Sequence, residues 1–330
     1  MKKIVGTIAA IALAASSAFA GVNVGMGFNR GFFVPFAYDG TDAKAGISTS
    51  WGAEPRVGVS FSAASEQVGV VADVKFDGGN VAVNDNAYIW VKPTSWFKMN
   101  IGQSFDDTLR GNACFGSWDW LRPGNILGED LIFTRVCNNP LAGAWAPLQG
   151  AILMLDPIEG LHISVGLPTG YGIAANWEDL VAKTQVQAGY TIADVAQIKA
   201  QWIGAGKNVD DEIEGQIEVA ASVKAIEGMT LDVGAKFRTV EDAPIDVAVF
   251  WGMPVAGLAL NANALVSIPT ADNADMSLAI GAGVGYDLGN GMGVGADVRY
   301  SQTFDDVTDP AIAFAAWFDK GIANGTLGVA

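Results

Sequence analysis

Apolar residues alternate with small or polar residues along most of the chain, in short stretches separated by turn residues, from Gly21 onwards. One clear stretch runs from Met276 to Tyr286, and a second, from Met292 to Ser301, repeats the arrangement. Successive side chains of a β strand point to opposite faces, so each stretch predicts a strand with one apolar face and one thin or polar face. The pattern predicts an all-β chain.

The period of two predicts about sixteen strands, within a range of about fourteen to eighteen. We place them at residues 22–34, 56–64, 67–76, 86–92, 96–103, 148–155, 160–167, 181–192, 195–203, 213–225, 229–239, 244–252, 257–268, 275–287, 292–302 and 310–318. The connections after odd-numbered strands are mostly long: 35–55, 77–85, 104–147, 168–180, 204–212, 240–243, 269–274 and 303–309. Those after even-numbered strands are short: 65–66, 93–95, 156–159, 193–194, 226–228, 253–256 and 288–291.

Two architectures fit alternating strands. A water-soluble sandwich buries its apolar faces between two sheets, whereas a membrane barrel exposes them to lipid. Only a barrel inserted from one side explains the unequal connections, as tight periplasmic turns and longer outer loops. We therefore predict a transmembrane antiparallel up-and-down β-barrel. Residues 325–330 could begin a further strand, which leaves open a truncated chain or a strand count that is wrong by a pair.

The first twenty residues have the features of a secretory signal peptide. Lys2 and Lys3 precede an apolar run over residues 4–15, and small residues surround the bond between Ala20 and Gly21, where we predict cleavage. The alternative, a membrane-spanning first helix, needs about 20 apolar residues and the run is shorter. The mature chain would then be a single domain.

The composition agrees with a membrane protein that lacks spanning helices. Charged residues are 16% of the chain, whereas soluble domains carry about 25%, and the mean hydropathy is +0.29. The most apolar later stretch, 248–260, is interrupted by Gly252, Pro254 and Gly257, so it predicts two strands around a turn. Outer-membrane barrels combine these properties because lipid covers their apolar face.

The segment 86–103 carries a family resemblance in the runs Asn-Ala-Tyr-Ile-Trp-Val-Lys-Pro and Trp-Phe-Lys-Met-Asn-Ile-Gly-Gln. It resembles the porin-type β-barrels of bacterial outer membranes, including a spirochaete-like group. The resemblance implies a bacterial outer-membrane location and contact with lipid and lipopolysaccharide. It also implies passive diffusion of small hydrophilic solutes and ions, and a homotrimer.

Alternation places rows of polar residues inside the predicted barrel, and a barrel of about sixteen strands is too wide for side chains to fill. In general porins the third outer loop folds inward and narrows the pore, so loop 104–147 is our candidate for a constriction in which opposed charges sort solutes. The alternative is a solvated surface loop. The candidates for pore lining and constriction are Lys98, Asp106, Asp107, Arg110, Asp119, Arg122, Glu129, Asp130, Arg135, Lys236, Arg238 and Arg299.

The only two cysteines, Cys114 and Cys137, both lie in that loop. In an exported protein such a pair predicts a disulfide, with a metal site or reactive thiols as the alternatives. Trp118, Trp120 and Trp145 could stack on sugar rings or pack the loop against the barrel wall.

The formal net charge is −16, and removing Lys2 and Lys3 with the signal makes it −18. This charge excludes nucleic acid as a partner, and the acidic loops predict a weak preference for cations. No cofactor or metal is predicted, because the acidic run at 305–309 lacks the glycine and the terminal glutamate of a calcium loop.

Two other functions are compatible with an outer-membrane barrel. Barrel enzymes use a histidine beside serine or aspartate, and His162, the only histidine, is two residues from Ser164 on one predicted strand face. Since no hydrolase motif is present, we predict that His162 lines the wall and that the chain is not an enzyme. The remaining alternative is a surface adhesin or structural protein whose barrel is only an anchor.

Overall fold

The computed structural model describes residues 22–26, 30–38, 40–48, 56–77, 80–111, 148–170, 176–322 and 325–330. The predicted signal peptide, the cleavage site between Ala20 and Gly21, and the predicted disulfide of Cys114 and Cys137 lie outside these residues. Most of the predicted third loop also lies outside them.

Within the described ranges the chain forms nineteen β strands and one short helix. The strands are β1 Val22–Met26, β2 Arg30–Tyr38, β3 Ala43–Ser48, β4 Arg56–Ala64, β5 Val68–Asp77, β6 Asn80–Thr94, β7 Phe97–Ser104, β8 Leu148–Leu155, β9 Leu161–Leu167, β10 Gln185–Ile192, β11 Ala196–Lys207, β12 Ile213–Val223, β13 Thr230–Arg238, β14 Ile245–Val255, β15 Leu258–Ile268, β16 Ser277–Gly289, β17 Met292–Thr303, β18 Ala311–Ile322 and β19 Gly325–Val329. The helix α1 is Trp177–Ala182.

The strands form one up-and-down sheet. From β4 to β19 each strand pairs antiparallel with the next along the chain. At the N-terminus β1 pairs with β4 and β2 pairs with β3, while β19 lies parallel to β2. These pairings leave β1 and β3 as the two open ends of the sheet. Because only residues 27–29 separate β1 from β2, the sheet returns to the segment in which it starts.

Three differences separate the nineteen observed strands from the sixteen predicted. The predicted strand 22–34 is divided into β1 and β2, the predicted loop 35–55 contains β3, and the C-terminal residues form β19. The up-and-down antiparallel order that we predicted is confirmed. The unequal connections are confirmed only in part, since 208–212 and 239–244 are no longer than the turn 224–229.

Two predicted boundaries were wrong for local reasons. β6 begins at Asn80, so the β5–β6 connection is 78–79 and the predicted loop 77–85 is mostly strand. Residues 177–182 form α1, so β10 begins at Gln185 and not at residue 181. The Asn176 side chain caps α1 by accepting a hydrogen bond from the Glu178 backbone N–H, and acidic residues occupy its first turn.

Across the described residues, none of the helical structure is both long and apolar enough to span a membrane.

The two faces of the sheet have opposite chemistry. On β12, Ile217 and Val219 are 45% and 39% exposed, whereas Glu218 between them is 0% exposed. A soluble protein shows the reverse arrangement, because charged side chains are almost never fully buried unless they are paired. We call the face that carries Glu218 the polar face and the other the apolar face. The side chains buried on the polar face of the central strands include Asn100, His162, Ser164, Gln185, Gln187, Lys199, Gln201, Glu218, Asp232, Asp246, Asn263 and Arg299.

Candidate functional site: the polar face and the start of the third loop

Strand register places polar side chains side by side across the polar face. Each residue of one series lies directly opposite the next on the neighbouring strand, and we call this series the polar row: Ser164, Gln187, Gln201, Glu218, Lys236, Asp246 and Ser267. Gln201 Nε2 donates to Glu218, and Gln216 Nε2 donates to its other carboxylate oxygen at 2.5 Å. The buried carboxylate of Glu218 is therefore satisfied by one amide donor from the neighbouring strand β11 and one from its own strand.

Basic and acidic side chains are neighbours in the polar row. Lys236 Nζ lies 3.2 Å from Asp246 Oδ2, and Arg238 binds the same oxygen at 2.9 Å. Ser267 Oγ donates to the other oxygen of Asp246 at 2.6 Å. The predicted pore-lining residues Lys236 and Arg238 are thus partly neutralised by a carboxylate on their own wall. Sequence reasoning missed Asp246, although its position on β14 opposite Lys236 gives it the same face.

The start of the third loop lies against the polar face. Residues 105–111 follow β7, and Leu109 among them is only 1% exposed. Leu109 packs in a cluster with Ala220 of β12 and Ala248 of β14, flanked by Phe250 and Leu265. A Cβ atom at Gly189 of β10 would collide with the Leu109 side chain. Small residues on three strands therefore form a seat for one leucine, a contact that sequence reasoning missed.

Asp106 and His162 form the centre of a second contact between loop and sheet. His162 Nε2 lies 2.7 Å from Asp106 Oδ2, and His162 Nδ1 lies 2.7 Å from Asp156 Oδ1. Ser164 Oγ also donates to Asp106 Oδ2, and Gln187 Nε2 donates to it at 2.7 Å. We call these five residues, Asp106, Asp156, His162, Ser164 and Gln187, the clasp. It joins the loop to β9, β10 and the β8–β9 turn.

Protonation in the clasp follows from its hydrogen bonds. Carboxylates can only accept, so a histidine with a carboxylate at each ring nitrogen donates from both and carries a positive charge. Burial by itself would raise the pKa of Asp106. The hydrogen bond from His162 and its charge, with further hydrogen bonds from Ser164 and Thr108, outweigh burial and hold the pKa of that carboxyl well below its usual range. The loop is thus bound to the sheet through a buried ion pair.

Ser164, His162 and Asp156 have the hydrogen-bond order of a hydrolytic triad, since Ser164 Oγ lies 2.8 Å from His162 Nε2. Asp106 changes what this arrangement can do, because its Oδ2 atom accepts from both the serine and the imidazole. A histidine that donates from both nitrogens cannot take a proton from serine, and Ser164 is fully buried. The geometry is therefore that of a structural ionic cluster.

Several solved structures resemble this chain. OmpT of Vibrio cholerae in its trimer form aligns over 86% of this chain and 89% of its own, at 15% identity and a TM-score of 0.51. Two variants of the Rh. blastica porin each align over 90% of this chain and 98% of their own, at 15% and 13% identity with TM-scores of 0.55 and 0.54. No protein-family model and no curated protein matches the sequence.

The chain has the fold of bacterial outer-membrane β-barrels. In this fold the apolar face is the outer surface of the barrel and the polar face is its inner wall. The short connections, such as 95–96 and 256–257, lie at one rim of the barrel and the third loop begins at the other. The predicted fold class and the predicted outer-membrane location are confirmed.

The remaining predicted site residues fall into three groups. Lys98 of β7 lies on the inner wall, with its ammonium 5.5 Å from the centre of the Trp90 ring, and Arg299 of β17 is buried there. Asp107 and Arg110 bind each other at 2.9 Å near the loop start and are more exposed than Asp106. The others lie outside the described residues: Asp119, Arg122, Glu129, Asp130 and Arg135.

A cavity of about 330 Å³ separates part of the loop start from the wall. Thr108 and Leu109 line it on the loop side, and the β8–β9 turn with Thr191 and Gln197 lines it on the wall side. The loop therefore contacts the wall through the clasp and the Leu109 seat, with open space beside them.

Proposed function

We propose that the protein is a porin that lets small hydrophilic solutes and ions diffuse passively across the outer membrane. The observation that carries the proposal is the inverted burial of the wall, with apolar side chains exposed outside and charged and amide side chains inside. An apolar outer surface is stable only in lipid, and a polar inner wall is suited to water. The solved porins that share the fold support the same function.

The width of the barrel supports a water-filled interior. Small barrels of about eight strands are filled by side chains, whereas those of about sixteen strands leave an aqueous channel. This chain has more than sixteen strands in its described part. We propose that the inward start of the third loop narrows the channel at the level of the clasp.

We propose only a weak preference for cations. The described outer loops include acidic groups such as Asp210, Asp211 and Glu212, which should raise the local concentration of cations. On the wall, however, Lys236 and Arg238 share the carboxylate of Asp246, so acids and bases alternate along one wall where we expected them to face each other. A strong transverse field is not expected from such pairs, because their charges largely cancel at a distance.

The proposal extends to processing and assembly. Cleavage between Ala20 and Gly21, a disulfide between Cys114 and Cys137, contact with lipopolysaccharide and membership of the spirochaete-like group remain our predictions. The trimeric OmpT relative supports a homotrimer for this chain. The occupation of both His162 ring nitrogens by carboxylates supports a protein that is not an enzyme.

The test is the conductance of the protein purified from outer membranes and inserted in a planar lipid bilayer under a KCl gradient. Stepwise openings are the expected result, with a small reversal potential of the sign that cations produce. Silence from a protein shown to be folded by heat-modifiable gel mobility would overturn the porin proposal. That result would favour the alternative function, an adhesin or structural protein whose barrel anchors its outer loops.

A further inference from the structure

The loop start contacts the wall at two places of different chemistry. Asp106 is 3% exposed and binds His162, Ser164 and Gln187, which belong to two neighbouring strands. Three residues later, Leu109 fills the seat beside Gly189. The hydrogen-bonded ion pair orients the loop start relative to the wall, and the apolar contact sets how closely the loop start packs against the wall. Together the two contacts determine where the chain enters the barrel interior.

The receiving side of the contact is itself fixed. Asp156 lies in the turn that joins β8 to β9, and its Oδ1 atom is 2.7 Å from His162 Nδ1. This hydrogen bond fixes the orientation of the imidazole ring. Gly189 lies directly opposite His162 in the register of β9 and β10, so the two contacts share one level of the wall. Loop movement would therefore require breaking a buried ion pair and exposing a buried leucine at once.

We propose that Asp106 and Leu109 are positioning residues that anchor the third loop to His162 and Gly189, and that this anchor sets the width of the channel. The inference rests on the proposed porin function and assigns the residues that hold its constriction. Asp107 provides a contrast, because it has the same charge and the next position but binds only Arg110 among the described residues.

The experiment compares Asp106→Ala with Asp107→Ala in single-channel recordings. Both variants lose one negative charge, so a difference between them reports the contact and not the charge. We expect Asp106→Ala to raise the conductance by roughly twofold and to make it noisier, because channel width governs passage. We expect Asp107→Ala to change it much less. Equal conductance in the wild type and Asp106→Ala would overturn the proposal.

A second measurement reports the contact between Asp106 and His162 directly and does not depend on conduction. His162 is the only histidine, so selective ¹⁵N-histidine labelling gives one imidazole signal in the folded barrel. We expect both ring nitrogens to show protonated, hydrogen-bonded shifts in the wild type and in Asp107→Ala, and a changed Nε2 shift in Asp106→Ala. An unchanged signal in Asp106→Ala would also overturn the proposal. If the wild type does not conduct but shows the expected signal, the porin function fails while the contact stands.

A variant on the wall side keeps the test valid if Asp106→Ala does not fold. Gly189→Leu would occupy the seat and displace Leu109, so we expect the conductance to change as in Asp106→Ala. Gly285→Leu is the matched control, since a Cβ there would lie 3.8 Å from its nearest neighbour, Ala259 Cβ, on the same polar face. Equal conductance of these two glycine variants would contradict the anchor.

Discussion

Long side chains are arranged differently in two parts of the inner wall. On β9 to β13, Gln187, Gln201 and Glu218 are fully or almost fully buried and are hydrogen-bonded to the loop start or to one another. On β16 to β18, long side chains lie over glycines of the neighbouring strand. Trp317 covers Gly295, Asp297 covers Gly283 and Arg299 covers Gly281, so closely that a Cβ at any of these glycines would collide with them.

The difference shows two uses of a barrel wall. A glycine in a strand lets a neighbouring side chain approach the backbone, so a large residue can lie along the wall and leave the centre of the barrel clear. The hydrogen bond from Trp317 Nε1 to Asp297 Oδ2, at 3.3 Å, holds the ring in that position. On the β9–β13 wall, Gln187 instead donates to Asp106 of the loop start, and Gln201 donates to Glu218. For the porin function proposed above, we infer that one side of the barrel supports the constriction and the other side bounds the passage.

Replacing His162 by alanine should have the largest effect on stability, because it removes the histidine that binds Asp106 in the clasp. Asp106 and His162 have side chains that are 2% and 7% exposed. Removing one partner of such a buried pair leaves an uncompensated charge and typically costs about 3–5 kcal/mol. The measurement is the free energy of unfolding in urea from lipid vesicles.

The matched control for His162→Ala is Lys207→Ala. Lys207 pairs with Glu178 and Asp211, whose side chains are 70% and 81% exposed. Exposed pairs contribute little to stability because water and salt screen them. Similar losses of stability in the two variants would show that the clasp is no stronger than a surface ion pair.

Gly295→Leu should reduce stability less than His162→Ala does. It should also alter the β16–β18 side of the barrel, where long side chains lie along the wall. The new side chain would collide with the Trp317 ring and turn it towards the channel. Overpacking of this kind costs about 1–3 kcal/mol, and the displaced indole should lower the single-channel conductance. Gly285→Leu lies directly opposite Gly295 in register and has space for its Cβ. If both variants conduct alike, the flat position of Trp317 has no part in keeping the channel clear.

Local alternation predicted the strands well because it depends only on neighbouring residues. β4 and β8 have the predicted bounds 56–64 and 148–155. It also placed Lys236 on the inner face, since this residue alternates with the apolar neighbours Ala235 and Phe237. β3 was missed because its alternation covers only six residues and two of its three apolar positions are alanines, Ala43 and Ala45.

The contacts that define the site depend on register and on the path of the loop, and alternation contains neither. Asp106 meets His162 across 56 positions of the sequence. Trp317 covers Gly295 only because β17 and β18 pair with those two residues opposite each other. Asp156 and Leu109 lie outside the strands, so no periodic pattern pointed to them.

Acidification should have the smallest effect on stability over the usual pH range, and below that range it should weaken the clasp. The pKa of Asp106 in the folded barrel is lower than in the unfolded chain, where an aspartate has a pKa of about 3.9. Its bonds to His162, Ser164, Gln187 and Thr108 therefore contribute fully above that value and are lost as the pH falls towards the folded pKa. We expect no contribution from Asp106 to a change in stability between pH 8 and pH 5, and a growing contribution below about pH 4.

Other carboxylates also titrate at low pH, so the informative quantity is the difference in urea midpoint between the wild type and Asp106→Asn, which has no carboxyl to protonate. That difference should shrink as the pH falls, and a constant difference down to pH 2 would show that Asp106 is not held as a buried carboxylate.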